Sequence, residues 1–561
     1  MNNLKKSLPI DIQMEGSESC DSNLNTGSAD YESNPPLGID LGTSNSAIAR
    51  WVNTIRKQGS EVYKLNDQSD FLMPSVLYYD EDQNFIVGAI AVKQQVLKPD
   101  ATIANVKRQI GETSQCISLS NALFTPSDIS SEIIKALFNS IMNPQFCPEG
   151  VVVSVPYYFL QVQNDNTRLA VEKAIRETPQ FKNTKYLGLI PEPVAAALSY
   201  AIDNMAENND QLILTFDMGG GTLDLTILRL EITGSSIDFE IMAVDGSDQF
   251  GGVDFDRLIE SYIYQNEQIS FDGLSERFAK KGKNSVLQGA KEAKEQLSIS
   301  KRHSIDIVEH IQTPISLDIY RSDFEKMLCG NNPDSRDFSG ELLDILERLE
   351  QKARVSSKNI DMIMSVGGST KIPFFQNLLT KRYPGASIQT IVSDDIHDSL
   401  FHSVAKGASI YAAYLLDKNY GTHHLPEGIE IRMVQRTCHH LGIRTKQNTF
   451  SIITSQNTIV PATETKEFYP MGYPDKSKTL ASASVIDVYQ GNSSNVYENT
   501  LIGKIKLPPI HTHKRPLNKI KIIVTFEVDL TELKVNILIP NSAADQTDIR
   551  IHDHIQLERR E

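Results

Sequence analysis

The sequence predicts a large mixed α/β domain followed by a small all-β sandwich, and three observations predict it. From Leu37 to about Lys418, short apolar runs that open onto turns alternate with helical stretches; VVVSVP (Val151–Pro156), LILTFD (Leu212–Asp217) and MIMSVGG (Met362–Gly368) are examples. From about Arg436 the helical pattern stops, and strands such as VIDVYQG (Val485–Gly491) and IKIIVTFEVDL (Ile520–Leu530) follow one another between turn-forming residues. The length, 561 residues, exceeds what a single hydrophobic core serves.

Residues 1–35 are rich in Ser, Asn, Asp and Glu without apolar periodicity. They read as a disordered leader, because such a segment buries too little to offset its ordering entropy. The α/β domain then spans 36–418, a polar linker 419–435, the sandwich 436–540 and a polar tail 541–561.

With 40% apolar and 22% charged residues the composition is that of a globular protein. A net charge of −16 speaks against a general nucleic-acid binder, since phosphate backbones reward Lys and Arg. No apolar run is long enough for a membrane span, and the opening residues lack the apolar core of a secretory signal. The five cysteines, Cys20, Cys116, Cys147, Cys329 and Cys438, are odd in number and scattered, with no CxxC pair. Reduced thiols and a cytoplasmic location are the expectation.

Two segments carry the strongest chemical signal: GIDLGTSNS (Gly38–Ser46) and FDMGGGTLDLTIL (Phe216–Leu228). Each reads as a strand ending in Asp, a turn of small residues and a second strand. Glycines let backbone amides approach phosphate oxygens with no Cβ in the way, and the hydroxyls of Thr43, Ser44 and Thr222 add donors. Asp40 and Asp217 close the first strands, where two carboxylates face one metal ion through its water shell. The P-loop pattern GxxxxGK[ST] is absent. Two Asp-plus-glycine hairpins some 180 residues apart suggest two similar half-domains clamping one nucleotide.

The series of motifs is far more specific than either hairpin alone. GIDLGTSNS is followed by MPSV (Met73–Val76), VKRQIG (Val106–Gly111), VVVSVPYYF (Val151–Phe159) and IPEPVAAALSYAID (Ile190–Asp203). After the second hairpin come FGGVDFDRLI (Phe250–Ile259), AKEQLS (Ala293–Ser298) and VGGSTKIP (Val366–Pro373). In this order and spacing, from Leu37 to about Ile539, the chain resembles the 70-kilodalton heat-shock chaperone family. The resemblance implies an actin-like ATPase, two lobes of duplicated ribonuclease-H-like fold, joined to a peptide-binding β-sandwich. It implies ATP and ADP with Mg²⁺ as cofactors and slow hydrolysis. The partners it implies are unfolded or extended peptides, with a J-domain co-chaperone and a nucleotide-exchange factor as further possibilities.

Roles follow from the resemblance residue by residue. Lys107 matches the lysine that holds the attacking water, and Glu192 and Asp224 match carboxylates that orient water. Thr43 and Thr222 match hydroxyls near the phosphates, within hairpins formed by Gly42, Ser44 and Asn45 and by Gly219, Gly220 and Gly221. Gly251 and Gly252 belong to the same cofactor site. Gly367, Gly368 and Ser369 match the loop that backs the adenosine, with Lys371 after it and Lys294 and Ser298 on a helix opposite. Pro156 matches a nucleotide-sensing proline; its partner arginine is Arg168 when helical spacing to Ala174 is kept, whereas direct counting reaches Asn164.

Several positions depart from the family pattern. Lys291 stands where a ribose-binding Glu is usual, Glu295 where many members have Arg, Lys371 where an adenine-stacking Arg is usual, and Phe401 where an Asp is expected. The linker run IEIRMVQ (Ile429–Gln435) carries charges in place of an apolar run, so docking it into an apolar crevice is expected to strand them. Ile443, Phe468, Met471, Ser484 and Ile486 match the peptide groove of the sandwich, with Ser484 in place of a pocket valine. Few residues follow Ile539, so the groove is expected to lack a helical lid. The reading is an ATP-hydrolysing, chaperone-like protein. The alternative is a nucleotide-regulated interaction module with little turnover, motivated by Lys291, Glu295, Lys371 and Phe401.

Overall fold

The computed structural model describes residues 34–554, apart from internal stretches of which 390–401, 471–479, 512–519 and 541–547 are the longest. Met471, Ser484 and Phe401 lie outside the described residues. Two sheets repeat one strand order. In the first, Lys185–Pro191, Gly150–Val155, Leu37–Asp40, Asn45–Asn53 and Gln58–Val62 lie side by side. In the second the order is Ser387–Gln389, Met362–Val366, Asn209–Met218, Leu223–Thr233 and Ser236–Ser247. In both, a glycine hairpin supplies two antiparallel central strands, and a later strand joins the hairpin's first strand in parallel.

Both hairpins have sequences that bury their strands. Leu37 and Ile39, like Ile213, Leu214 and Phe216, are fully enclosed. The first sheet packs on the helices Pro126–Asn139 and Gln161–Glu177 through Ile133, Leu137, Val171 and Ala174. The helix Pro126–Asn139 starts where its sequence says it should: Thr125 accepts from the Asp128 amide, Asp128 answers through the Thr125 amide, and Pro126 occupies the first turn. The second sheet packs on Gly252–Asn266, Glu276–Ile299 and Phe338–Ala353.

Between the sheets run the helices Glu192–Asp203 and Ser403–Tyr420, whose alanine-rich faces meet Val152 and Leu228. Their approach needs Gly407, where a Cβ would stand 1.7 Å from the Ala195 carbonyl oxygen. Among the described residues no helix is long and apolar enough to cross a membrane.

The second sheet does not end with its own domain. Glu430–Arg436 adds to Ser236–Ser247 as a parallel strand and pairs on its other edge with Ile459–Val460. One sheet of seven strands therefore runs from the α/β domain through the linker to a sandwich residue pair. This corrects the expectation that the linker's charges would be stranded. Strand periodicity turns Ile431 into the core, 4% exposed, and leaves Glu430 and Arg432 in solvent, where they pair with each other at 3.0 Å.

Among the described residues the sandwich contains two four-stranded antiparallel sheets, Phe450–Thr454, His440–Arg444, Val485–Gly491, Thr500–Lys506, and Ala462–Phe468, Ile522–Val528, Leu533–Ile539, Ile549–His554, besides the short pair Leu480–Ala481 and Ile510–His511. Val524, Phe526, Val535 and Ile537 alternate into its core. The last strand corrects the polar tail expected at 541–561: Ile549 and Ile551, two residues apart, pack against that core.

Candidate functional site

The two glycine hairpins meet. A Cβ on Gly220 would fall 1.7 Å from the Ser44 Oγ, so the second loop presses on the first with no side chain between them. Gly221 lies against the Arg108 guanidinium, where a Cβ would be 2.2 Å from Nε, and Gly251 lies against the Gly221 backbone at 2.7 Å. The first loop is fastened from below by Ser75 of the MPSV motif. Its hydroxyl donates to the Gly42 carbonyl at 2.8 Å and its amide to the Ser44 carbonyl at 2.8 Å. Asn45 begins the outgoing strand and is exposed. The second loop closes on itself through the Gly219 amide and the Thr222 carbonyl, 3.0 Å, while the Thr222 hydroxyl donates to Asp224 at 3.0 Å.

Beside the loops lies a buried charge cluster. Lys107, in a short 3₁₀ turn, places Nζ 2.5 Å from Oε1 of Glu192, which opens the helix Glu192–Asp203. Asp40 accepts from Ser154 at 3.1 Å, and Asp217 pairs across the hairpin with Asp224. Burial, then the Glu192 charge, push the Asp40 carboxyl up to about 6, although Lys107 and Ser154 pull the other way. Burial, then Glu192, Asp224 and Asp40, hold Asp217 well above the usual carboxylate range. Burial lowers the Lys107 pKa, but the charges of Glu192 and Asp40 outweigh it and the net shift is upward. Glu192, Asp40 and Asp217 face one ammonium and Asp224 faces Asp217, so the carboxyls repel one another in a low-dielectric site, which together with burial is why Asp40 and Asp217 are held up. An all-oxygen donor set of this kind suits a hard divalent cation. Among the described residues no group of three or more His, Cys, Asp or Glu side chains can hold a metal directly. Water and phosphate would have to complete its shell.

On the far side of the second hairpin three segments converge. A Cβ on Gly252 would be 2.9 Å from both Lys294 Nζ and Ser369 Oγ. Ser369 donates to the Gly219 carbonyl at 2.7 Å, and Gly367, at φ +85°, passes so close to Asp217 that a Cβ would lie 2.6 Å from its Oδ1. Lys294 donates to the Gly252 carbonyl at 3.0 Å and pairs with Asp256 at 2.6 Å, both side chains buried. Ser298 donates to the Lys294 carbonyl within its own helix. Gly368 begins the turn Gly368–Lys371, and Lys371 faces solvent near Glu295; burial lowers the Lys371 pKa more than Glu295 raises it.

The expected switch pair, Pro156 and Arg168, shares no hydrogen bond or ion pair among the described residues. Arg168 is committed to Glu172 at 3.2 Å and Asp165 at 3.8 Å on its own helix. The residue after the proline does the reaching instead. The Tyr157 hydroxyl accepts from the Arg436 amide at 2.8 Å and donates to the Arg436 carbonyl. In the sandwich, Ile443 is 4% exposed and belongs to the core, which leaves Phe468 and Ile486, partly buried at its margin, as groove candidates. Sequence reasoning missed Ser75, Arg108, Tyr157 and Asp256. All four lie inside motifs already singled out, Asp256 within FGGVDFDRLI.

A family model described as Hsp70 protein matches residues 36–559. Proteins named chaperone protein DnaK from Thermotoga petrophila, Thermotoga maritima and Thermotoga neapolitana are each 30% identical over 502 residues, 88% of this chain and 76% of the relative. With a match of this extent laid over paired phosphate-type hairpins and a β-sandwich, the chain belongs to the Hsp70 family, ATP-binding chaperones that join an actin-like ATPase fold to a β-sandwich.

Proposed function

We propose that the chain hydrolyses ATP slowly with Mg²⁺ and uses the nucleotide state to control binding of extended peptide in its sandwich. The observation that carries this is the buried Lys107–Glu192 pair set among Asp40, Asp217 and Asp224 at the meeting point of the two glycine loops. The equal strand order of the two sheets supports two lobes of duplicated ribonuclease-H-like fold.

Asp40 and Asp217 would hold Mg²⁺ through water; the ion supplies charge neutralisation on the phosphate oxygens. Amides of residues 42–45 and 219–222 cradle the phosphates, with Thr43 and Thr222 as added donors. Lys107 holds the attacking water, oriented by Glu192, and Asp224 fixes the Thr222 hydroxyl. Gly367–Ser369, Lys294 and Ser298 back the nucleoside, while Gly251 and Gly252 leave room for the neighbouring loops. Phe468 and Ile486 take apolar side chains of an extended peptide, whose backbone bonds to a strand edge. J-domain and exchange-factor partners belong to the same reading.

The second reading is a nucleotide-regulated interaction module with little turnover. It draws on Lys291, Glu295 and Lys371, since an exposed lysine beside a glutamate offers no planar cation to a base. Single-turnover hydrolysis with and without an unfolded peptide separates the two. ADP formation that peptide alters supports the first, and tight ATP binding without ADP formation supports the second.

A further inference from the structure

A cavity of about 790 Å³ begins at the catalytic groups and ends at the other domain. Lys107, Glu192 and Thr222 of the α/β domain line it together with Gln456 and Asn492 of the sandwich, and Tyr157, which bonds Arg436, lines it too. Of the described residues proposed to back the nucleoside, Gly367, Gly368, Ser369, Lys294 and Ser298, none lines it. The void therefore starts where the terminal phosphate would lie and leads away from the base. A space of this size far exceeds what one attacking water needs.

We propose that this cavity is the route by which water reaches, and inorganic phosphate leaves, the hydrolysis site, and that the Tyr157–Arg436 clasp holds the sandwich across it. The inference rests on the ATPase reading above. Arg436 ends the strand that joins the α/β sheet to Ile459–Val460, and its side chain pairs with Glu240 at 2.7 Å. The Tyr157 hydroxyl bonds both the amide and the carbonyl of Arg436, so one side chain ties the turn after Pro156 to the strand that carries the sandwich. Arg108 offers positive charge along the wall. Asp245 and Asp248 oppose an anion's passage, but Asp245 is neutralised by Lys352 at 2.8 Å and Arg348 at 3.2 Å. Release is then a separate, gated step after bond cleavage.

The full chain with ATP and Mg²⁺ tests this by measuring ADP formation by rapid quench and free phosphate with a fluorescent phosphate-binding sensor in parallel. Phosphate release should lag cleavage. Tyr157→Phe keeps the ring but loses both bonds, and should shorten the lag about fivefold with cleavage changed less than about twofold. Asn492→Trp, at an exposed position on the sandwich side, should lengthen the lag by filling the passage. Release that follows cleavage without delay, a lag indifferent to both substitutions, or a parallel change in cleavage overturns the proposal. A chain that binds ATP and forms no ADP shows instead that the ATPase reading has failed, and the proposal falls with it.

Discussion

The Lys107 ammonium lies 2.5 Å from the Glu192 carboxylate, and the two side chains are only 10% and 8% exposed. A cation so placed counterbalances carboxylates that would otherwise repel an incoming polyphosphate. Lys107→Ala should leave ATP bound through the glycine loops and reduce single-turnover hydrolysis by about a hundredfold or more. Unchanged turnover would remove Lys107 from the mechanism and favour the interaction-module reading.

Asp217 sits under Glu192, Asp224 and Asp40, all of which raise its pKa along with its burial. On the proposed metal role, Asp217→Asn removes one metal-facing charge and relieves repulsion at once. ATP affinity measured with Mg²⁺ should fall roughly tenfold, while affinity measured in chelator should stay level or rise. Titrations matching wild type under both conditions would exclude a metal role for this residue.

The approach of the two central helices depends on Gly407. Its absent Cβ would be 1.7 Å from a backbone oxygen, which no rotamer change relieves. Gly407→Ala should cost about 3 kcal/mol of stability, seen as a lower urea midpoint.

Docking of the linker strand depends on Ile431, 4% exposed, against the core between the two α/β sheets. Ile431→Asp buries an unpaired charge and should release the strand, speeding amide exchange across 430–436. A charged linker that stayed undocked would give weak coupling, with less than a roughly tenfold change in peptide affinity between ATP and ADP. A docked strand argues for a larger change that Ile431→Asp abolishes. Anisotropy of a labelled apolar heptapeptide in each nucleotide decides between them.

Asp245 joins the strand Ser236–Ser247 to the helix Phe338–Ala353 through Lys352 and Arg348. Burial raises its pKa, but the Lys352 and Arg348 bonds outweigh burial and the net shift is downward. A depressed carboxylate contributes stability above its unfolded pKa and loses it as pH falls through the lower, folded value. Asp245→Asn should therefore destabilise by about 1 kcal/mol near pH 7, since both cations are partly in solvent, and by nothing once acid has protonated the wild type. An equal loss at both pH values would mean that packing, not charge, holds this contact.

What the sequence determined by itself was local. Asp40 with Gly42 and Asp217 with Gly219–Gly221 announced two hairpins, because glycine and a strand-ending carboxylate act within a few residues of chain. Period-two patterns announced the sandwich. Tertiary structure decided what each feature meets. Nothing near Lys107 in the chain names Glu192, 85 positions on, and nothing near Lys294 names Asp256 as its buried partner. EIRMV already alternated, but only the free edge of Ser236–Ser247 made that alternation a docked strand rather than a charged linker. Arg168 kept its helical spacing yet spent its charge on Asp165 and Glu172, and Tyr157 took up the long-range contact. Spacing along a chain sets which residues can share a face; burial and charge balance across folded surfaces, which no window of sequence contains, set which partner they find there.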